Sequence, residues 1–208
     1  MQRGVFITLE GGEGAGKSTQ IAAVEQWVRD TGHALIVTRE PGGTELGERI
    51  RQLLLDARGS MTSETETLLM FAARAEHVAR VIRPALEQGK WVVCDRFTDA
   101  TYAYQGGGRG LASARIALLE DWVQGELRPD LTLVLDVPVD VGMGRVGQRG
   151  ALDRFEQESH QFFDRVRKAY HAAAAREPNR VRLIDATAAP AEVSARIRQI
   201  LSERFGHG

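Results

Sequence analysis

The stretch Gly11-Gly-Glu-Gly-Ala-Gly-Lys-Ser18 constrains this chain more than any other. It follows an apolar run, Val5-Phe-Ile-Thr-Leu9, with the composition of a buried strand, and continues through Thr19 into an amphipathic segment. As a pattern it is G-x-x-x-x-G-K-S, a phosphate-binding loop. Gly11, Gly12, Gly14 and Gly16 let successive backbone N–H groups turn inward around an anion, which side chains would obstruct. A helix starting at the end of the loop brings its positive dipole end to the same point. Lys17 supplies a full positive charge for nucleotide β- and γ-phosphates, and the Ser18 hydroxyl suits Mg²⁺. A chance glycine-rich turn is the alternative, and the strand before and helix after argue against it. A dinucleotide-binding turn fits less well still: the glycines miss G-x-G-x-x-G, and Lys-Ser follows directly.

Further along, apolar spacing alternates between strand and helix periods. Val5–Glu10, Leu35–Thr38, Trp91–Asp95, Leu131–Asp136 and Val181–Asp185 read as strands. A helix is expected from Ser18 to about Asp30, with Ile21, Val24 and Val28 on one face and Thr31-Gly32 as its stop. Arg39-Glu-Pro-Gly-Gly-Thr44 is a loop, and Leu46 to Leu55 a helix with Ile50, Leu53 and Leu54 on one side. Ser63-Glu-Thr-Glu66 resembles a capping box opening a long helix through Met70, Phe71 and Val78, which Pro84 kinks or divides. Phe97–Gln105 reads as helical, with Gly106-Gly-Gly108 as its break. Further helices are expected at Ser113–Gln124, Asp140–Arg145, Glu156–Arg176 and from Pro190 to about Phe205. This alternation implies an α/β fold, a five-stranded parallel sheet with helices on both faces. One domain spanning residues 1–208 is expected, with Gly147–Arg154 as a mobile excursion inside a lid of about residues 146–157.

Composition excludes several classes. A hydrophobic fraction of 43% supports a real core, and a net charge of −1 lacks the basic excess of a nucleic-acid binder. The single Cys94 excludes an internal disulfide and, inside Trp91-Val-Val-Cys94, reads as core. The 5 histidines show no metal-ligand spacing. No signal peptide fits ahead of the first strand, and no apolar run is long enough to span a bilayer. The cytoplasm is the expected location, with neither nucleic acid nor membrane as partner.

Metal-assisted chemistry at the glycine loop needs an acid. Asp95, Asp136 and Asp185 each end a strand, at the carboxyl edge where such sheets bind ligands. Asp95 is favoured because Arg96 follows it, placing an acid and a phosphate-binding base at one strand end. Asp136 and Asp185 read as structural turns. Phosphoryl transfer between nucleotides needs little covalent chemistry: negative charge must be neutralised and water kept out. Arginines from separate elements should then converge, and the candidates are Arg39, Arg51, Arg74, Arg96, Arg145, Arg149 and Arg154. Arg149 stands beside Gly150 in a glycine-punctuated loop, as a closing lid requires. Glu13 sits inside the phosphate loop, where an acid repels phosphate unless it faces metal or an acceptor group; otherwise it points outward.

Taken together, Gly11–Ser18, Arg39-Glu-Pro-Gly-Gly-Thr44, Asp95-Arg96-Phe97 and Leu152-Asp-Arg-Phe-Glu156 resemble bacterial thymidylate kinases. The resemblance implies a P-loop NTPase fold and transfer of the γ-phosphate of ATP to dTMP with Mg²⁺, feeding dTTP synthesis. It implies that Gly11, Gly12, Glu13, Gly14, Ala15, Gly16, Lys17, Ser18 and Thr19 form the ATP cradle, with Ser18 and Asp95 serving the metal. On the same basis Arg96 clamps the acceptor phosphate with Arg51 nearby, and Glu40 and Pro41 line the acceptor site. Phe71 stacks on thymine, Arg74 bonds its O4, Thr101 and Gln105 read the base, and Tyr104 lies under the sugar. For Phe71 and Tyr104, ordinary helix packing is the plain alternative. Ala15 is small, so the resemblance assigns the catalytic arginine to the lid, as Arg149, alongside Lys17, Arg96 and Glu13. It also implies a homodimer. Two other readings remain open: a kinase for another nucleoside monophosphate, and a nucleotide-dependent switch protein, which usually carries an N-K-x-D motif not found here.

Overall fold

The computed structural model describes residues 3–56, 58–147 and 152–206. The apolar runs form parallel strands β1 (Phe6–Gly11), β2 (Leu35–Arg39), β3 (Trp91–Asp95), β4 (Leu131–Asp136) and β5 (Val181–Asp185), in the order β2-β3-β1-β4-β5. β1 is buried along its whole length, whereas the edge strands β2 and β5 alternate or lie half open. That difference follows from covering a parallel sheet with helices on both faces, which buries the central strands twice.

Helices α1 (Lys17–Asp30) and α9 (Pro190–Phe205) cover one face, packing Val24, Val28, Ile197 and Leu201 against Ile7, Leu9 and Leu133. On the other face lie α3 (Ser63–His77), α4 (Arg83–Glu87) and α8 (His160–Arg176), with Ile82 and Leu86 against Phe6 and Val92, and Phe163 and Tyr170 against Val134. The remaining helices are α2 (Glu45–Leu55), α5 (Thr98–Thr101), α6 (Ser113–Gln124) and α7 (Val139–Val146). Pairing of Leu9 with Asp95 sets the carboxyl end of β1 beside that of β3. The glycine loop and Asp95-Arg96 therefore emerge side by side, where the sheet reverses its winding direction and ligands bind.

Several local expectations are corrected. Thr62, not Ser63, caps α3, accepting from the Thr65 N–H, and Glu66 is thereby released from a capping role and turned inward. Leu53 lies outside the buried face of α2, at 59% exposure, leaving Ile50 and Leu54 to pack. Pro84 does not divide the long helix: residues Val78–Ile82 widen into a π-helical turn, which accommodates a proline that lacks an N–H and crowds the preceding turn. A second wide turn, Tyr102–Gly108, runs through the three glycines that were expected to break the helix. A Cβ on Gly108 would lie 2.4 Å from a Phe162 ring carbon, so this glycine serves close packing against α8. α8 itself starts later than expected, at His160, because Ser159 caps it and residues 153–158 turn around Asp153, whose Oδ1 accepts from the N–H groups of Phe155 and Glu156.

Candidate active site

A cavity of about 630 Å³ opens at the carboxyl edge of the sheet. One end is walled by Gly14, Ala15, Gly16, Lys17, Ser18, Thr19 and Arg145, with Ala186, Ala188 and Pro190 opposite. The other end is walled by Glu40, Pro41, Arg51, Met70, Arg74, Thr101, Tyr104 and Gln105. Glu13, Asp95 and Arg96 also contribute to its lining. Such a shape suits two anionic ligands meeting end to end.

The phosphate loop is built as its sequence demands. Gly16 adopts φ 88 at the entry to α1, a left-handed conformation that glycine takes without strain. A Cβ on Gly14 would sit 2.0 Å from the Gly142 carbonyl oxygen, so α7 packs directly on the loop backbone. Arg145 of α7 donates to the carbonyls of Gly14 and Ala186, joining the loop to the segment after β5. Gln20 ties the same segment to α1, donating to the Pro190 carbonyl and accepting from Ser194. Lys17 is half-buried, and loss of water, followed by the Arg96 charge, holds its ammonium below the usual range.

Arg96 has φ 66, the one left-handed non-glycine among the described residues. Strain of this kind persists only where the surroundings impose it. Here the Arg96 backbone N–H donates to Leu9 at 2.9 Å, its side chain donates to Gly11 O and Glu13 Oε1, and its guanidinium lies 4.7 Å from the Tyr104 ring centre. Glu13 faces inward: its Oε1 also accepts from the Tyr104 hydroxyl at 2.9 Å. Burial, first of all, pushes the Tyr104 hydroxyl well above its ordinary value and keeps it a donor. Asp95 Oδ1 is buried with no hydrogen-bond partner. A buried carboxylate oxygen without a donor fits a cation, and the exposed Ser18 hydroxyl shares the cavity. No group of three or more His, Cys, Asp or Glu among the described residues could hold a metal alone. The other two strand-end acids, Asp136 and Asp185, are engaged by side chains of the protein itself. Asp136 accepts both Arg167 nitrogens, which with His171 hold it below the usual carboxylate range despite partial burial. Asp185 turns back on Thr187.

At the other end, Glu40 receives Arg74 Nε at 2.7 Å and pairs with His77 at 2.9 Å. Arg74 Nη2 donates to Thr101 at 3.0 Å, and the guanidinium lies between Phe71 and Phe97 at 4.9 and 5.0 Å. Its Nη1 has no partner although buried. Arg51 donates to the Pro41 carbonyl, and burial followed by the Arg39 charge holds it below its usual value.

Some assigned residues do not reach the cavity wall. Phe71 is 2% exposed and lies under Arg74, while Met70, one residue earlier, takes the wall position. Gly11 and Gly12 shape the loop behind the wall. Arg39 pairs with Glu48 on the surface. Arg154 is bound to Glu66 and the Leu54 carbonyl. Arg149 lies outside the described residues.

A family model described as thymidylate kinase matches residues 9–197 of this chain. The chain belongs to the thymidylate kinase family. A thymidylate kinase of Nitrosomonas europaea is 56% identical over 203 residues, covering 98% of this chain and 94% of its own length. One from Pseudomonas syringae pv. tomato is 59% identical over 201 residues, with 96% of each covered. The crystal structure of thymidylate kinase from Ehrlichia chaffeensis superposes with a TM-score of 0.80 at 33% identity, covering 96% of this chain and 99% of that one.

Within this thymidylate kinase family member, sequence reasoning missed Met70, Phe97 and Phe155 in the wall, and Glu66 and Glu10 behind it. Glu10 is fully buried, accepting from the Phe97 N–H and the Tyr170 hydroxyl at 2.7 Å each, and burial, then the Asp99 charge, pushes its carboxyl up to about 8. An acid embedded in the apolar run of β1 was the available signal.

Proposed function

We propose that the chain transfers the γ-phosphoryl group of ATP to dTMP, yielding dTDP for dTTP synthesis. Family membership supports the reaction, and one observation supports the choice of base. Arg74 Nη1 is a buried donor without a partner, held in place by Glu40 and Thr101. Thymine offers an O4 acceptor where cytosine carries an amino donor, so a fixed guanidinium favours the first and repels the second. A site with a committed donor discriminates strongly, because the wrong base leaves it buried and unpaired.

In this reading the loop amides and Lys17 hold the ATP phosphates, and Arg96 with Arg51 holds the phosphate of dTMP. Glu13 and Tyr104 face the sugar, while Thr101 and Gln105 complete the base wall. Ser18 and Asp95 would hold Mg²⁺, which neutralises charge on the phosphate oxygens when bound. Arg149 would supply charge to the transferring group from a lid of about residues 146–157, with the whole chain acting as one domain. A homodimer belongs to the same proposal. Leu53 of α2, Leu68 of α3 and Leu118 and Trp122 of α6 are exposed, at 59%, 56%, 72% and 82%, on helices of which α3 contacts both others. A cytoplasmic location is proposed too; no helix among the described residues is long and apolar enough to cross a membrane.

An assay coupled to ADP release, run across dTMP, dUMP, dCMP and UMP with ATP and Mg²⁺, tests the proposal. Turnover should be highest on dTMP. Faster turnover on dCMP would reject the base assignment, and slow hydrolysis without acceptor stimulation would favour the switch reading.

A further inference from the structure

Glu66 is 1% exposed and is not itself part of the cavity wall, yet its carboxylate gathers three side chains, two from the Tyr102–Gly108 turn and its end and one from the segment before α8. Gln105 Nε2 donates to Oε1 at 2.7 Å, and Arg109 donates to both oxygens through Nε and Nη2. Arg154, from the segment that follows residue 151, pairs with Oε2 at 2.6 Å. Arg109 also pairs with Glu158 and stacks on Phe162 at 4.8 Å, which holds its guanidinium on the Glu66 carboxylate.

The chemistry of this hub determines which way Gln105 points. A carboxylate that receives two guanidiniums offers Gln105 acceptors only, so the amide must turn its NH₂ toward Glu66. Its Oε1 is then the other end, and among the described residues it takes no hydrogen bond, while Gln105 lines the cavity. A free amide can flip; this one cannot without setting an oxygen against a carboxylate. We propose that Glu66 is a specificity-positioning residue: it locks the Gln105 amide so that an acceptor, never a donor, faces the acceptor base. Together with the unpartnered Arg74 Nη1, the wall then presents one donor and one acceptor, the complement of the O4 and N3–H edge of a thymine or uracil. This rests on the reading of Gln105 as a base-facing residue.

Glu66→Gln tests it. The two guanidiniums donate only, so the new amide must give them its oxygen at the former Oε2 position and turn its NH₂ toward Gln105. Gln105 then accepts with its own oxygen and presents Nε2 to the cavity. In the coupled assay, KM for dTMP should rise about tenfold or more with kcat within about threefold. The ratio of kcat/KM for dTMP over dCMP should fall by a similar factor. Arg109→Lys loosens the same hub without altering the sense of the amide, and should lower the melting temperature with the ratio unchanged. Gln105→Ala separates the two levels of inference. If Gln105→Ala lowers the ratio and Glu66→Gln leaves it within twofold, the lock is refuted and the base contact stands. If neither changes it, Gln105 does not face the base. An equal fall in Arg109→Lys would show that packing alone is responsible and would overturn the proposal. Should Glu66→Gln not fold, Glu66→Gln with Arg154→Met restores charge balance and carries the same readout.

Discussion

Replacing Arg74 by lysine isolates the donor on which the base assignment rests. Arg74 is 2% exposed, gives Nε to Glu40 and Nη2 to Thr101, and leaves Nη1 free. Lysine keeps the charge and can still reach Glu40, but one ammonium cannot hold Glu40 and Thr101 and also present a rigidly aimed donor to a base. The expected loss is one charge-assisted hydrogen bond to the base, about 1.5–3 kcal/mol, equivalent to about 10- to 150-fold in kcat/KM for dTMP. Most of it should fall on KM, since the contact is made equally in ground and transition states. The lost Thr101 bond and weaker contact with Phe71 and Phe97 should cost about 1–2 kcal/mol of stability, a drop of about 2–8 °C in Tm for a chain of this size. Initial rates at saturating ATP with varied dTMP and dCMP, alongside a melting curve, measure both. If Tm falls while kcat/KM for dTMP stays within twofold of the parent, the guanidinium is only a strut between two rings, and the reasoning fails.

Asp95→Asn keeps the shape of a side chain whose Oδ1 has no protein partner but removes its charge, so the Mg²⁺ concentration for half-maximal rate should rise about tenfold or more; an unchanged Mg²⁺ titration would remove Asp95 from the metal. Glu10 is held at about 8 in the fold against 4.5 for an ordinary glutamate, so the native state binds the extra proton. Its contribution is complete below about pH 4.5 and is lost as pH rises through 8. Glutamine does not titrate, so Glu10→Gln should gain on the parent by about 2–5 kcal/mol between pH 5 and pH 8 in urea unfolding; parallel pH profiles would contradict a buried neutral acid. Leu118→Glu places a charge on the exposed face of α6 and should shift the chain from dimer to monomer in sedimentation experiments, with its melting profile at low concentration nearly unchanged. A monomeric parent would end that part of the proposal.

Residues whose partners lie close in sequence were readable in advance. Gly11–Ser18 is a strand, a turn and a helix start joined without interruption, and its backbone conformation follows from glycine spacing alone. Asp95-Arg96 was legible for the same reason, as a polar pair ending an apolar strand. Periodicity also announced that α3 has an inner face, but not what that face meets. Met70 and Phe71 are neighbours about 100° apart around the helix, and only the packed structure shows that the first borders the cavity while the second supports Arg74. Glu66, which Ser63 three residues before it marks as a capping-box acid, is instead a buried hub for Gln105, Arg109 and Arg154, which lie 39 to 88 positions further along. The three glycines at 106–108 likewise read as a break until Phe162 is placed against them. Local backbone geometry is set by the residue itself and its near neighbours, so sequence alone determined the phosphate cradle. Whether a buried side chain faces ligand, ring or counter-charge depends on segments brought together by the sheet order, and only the tertiary structure decided that.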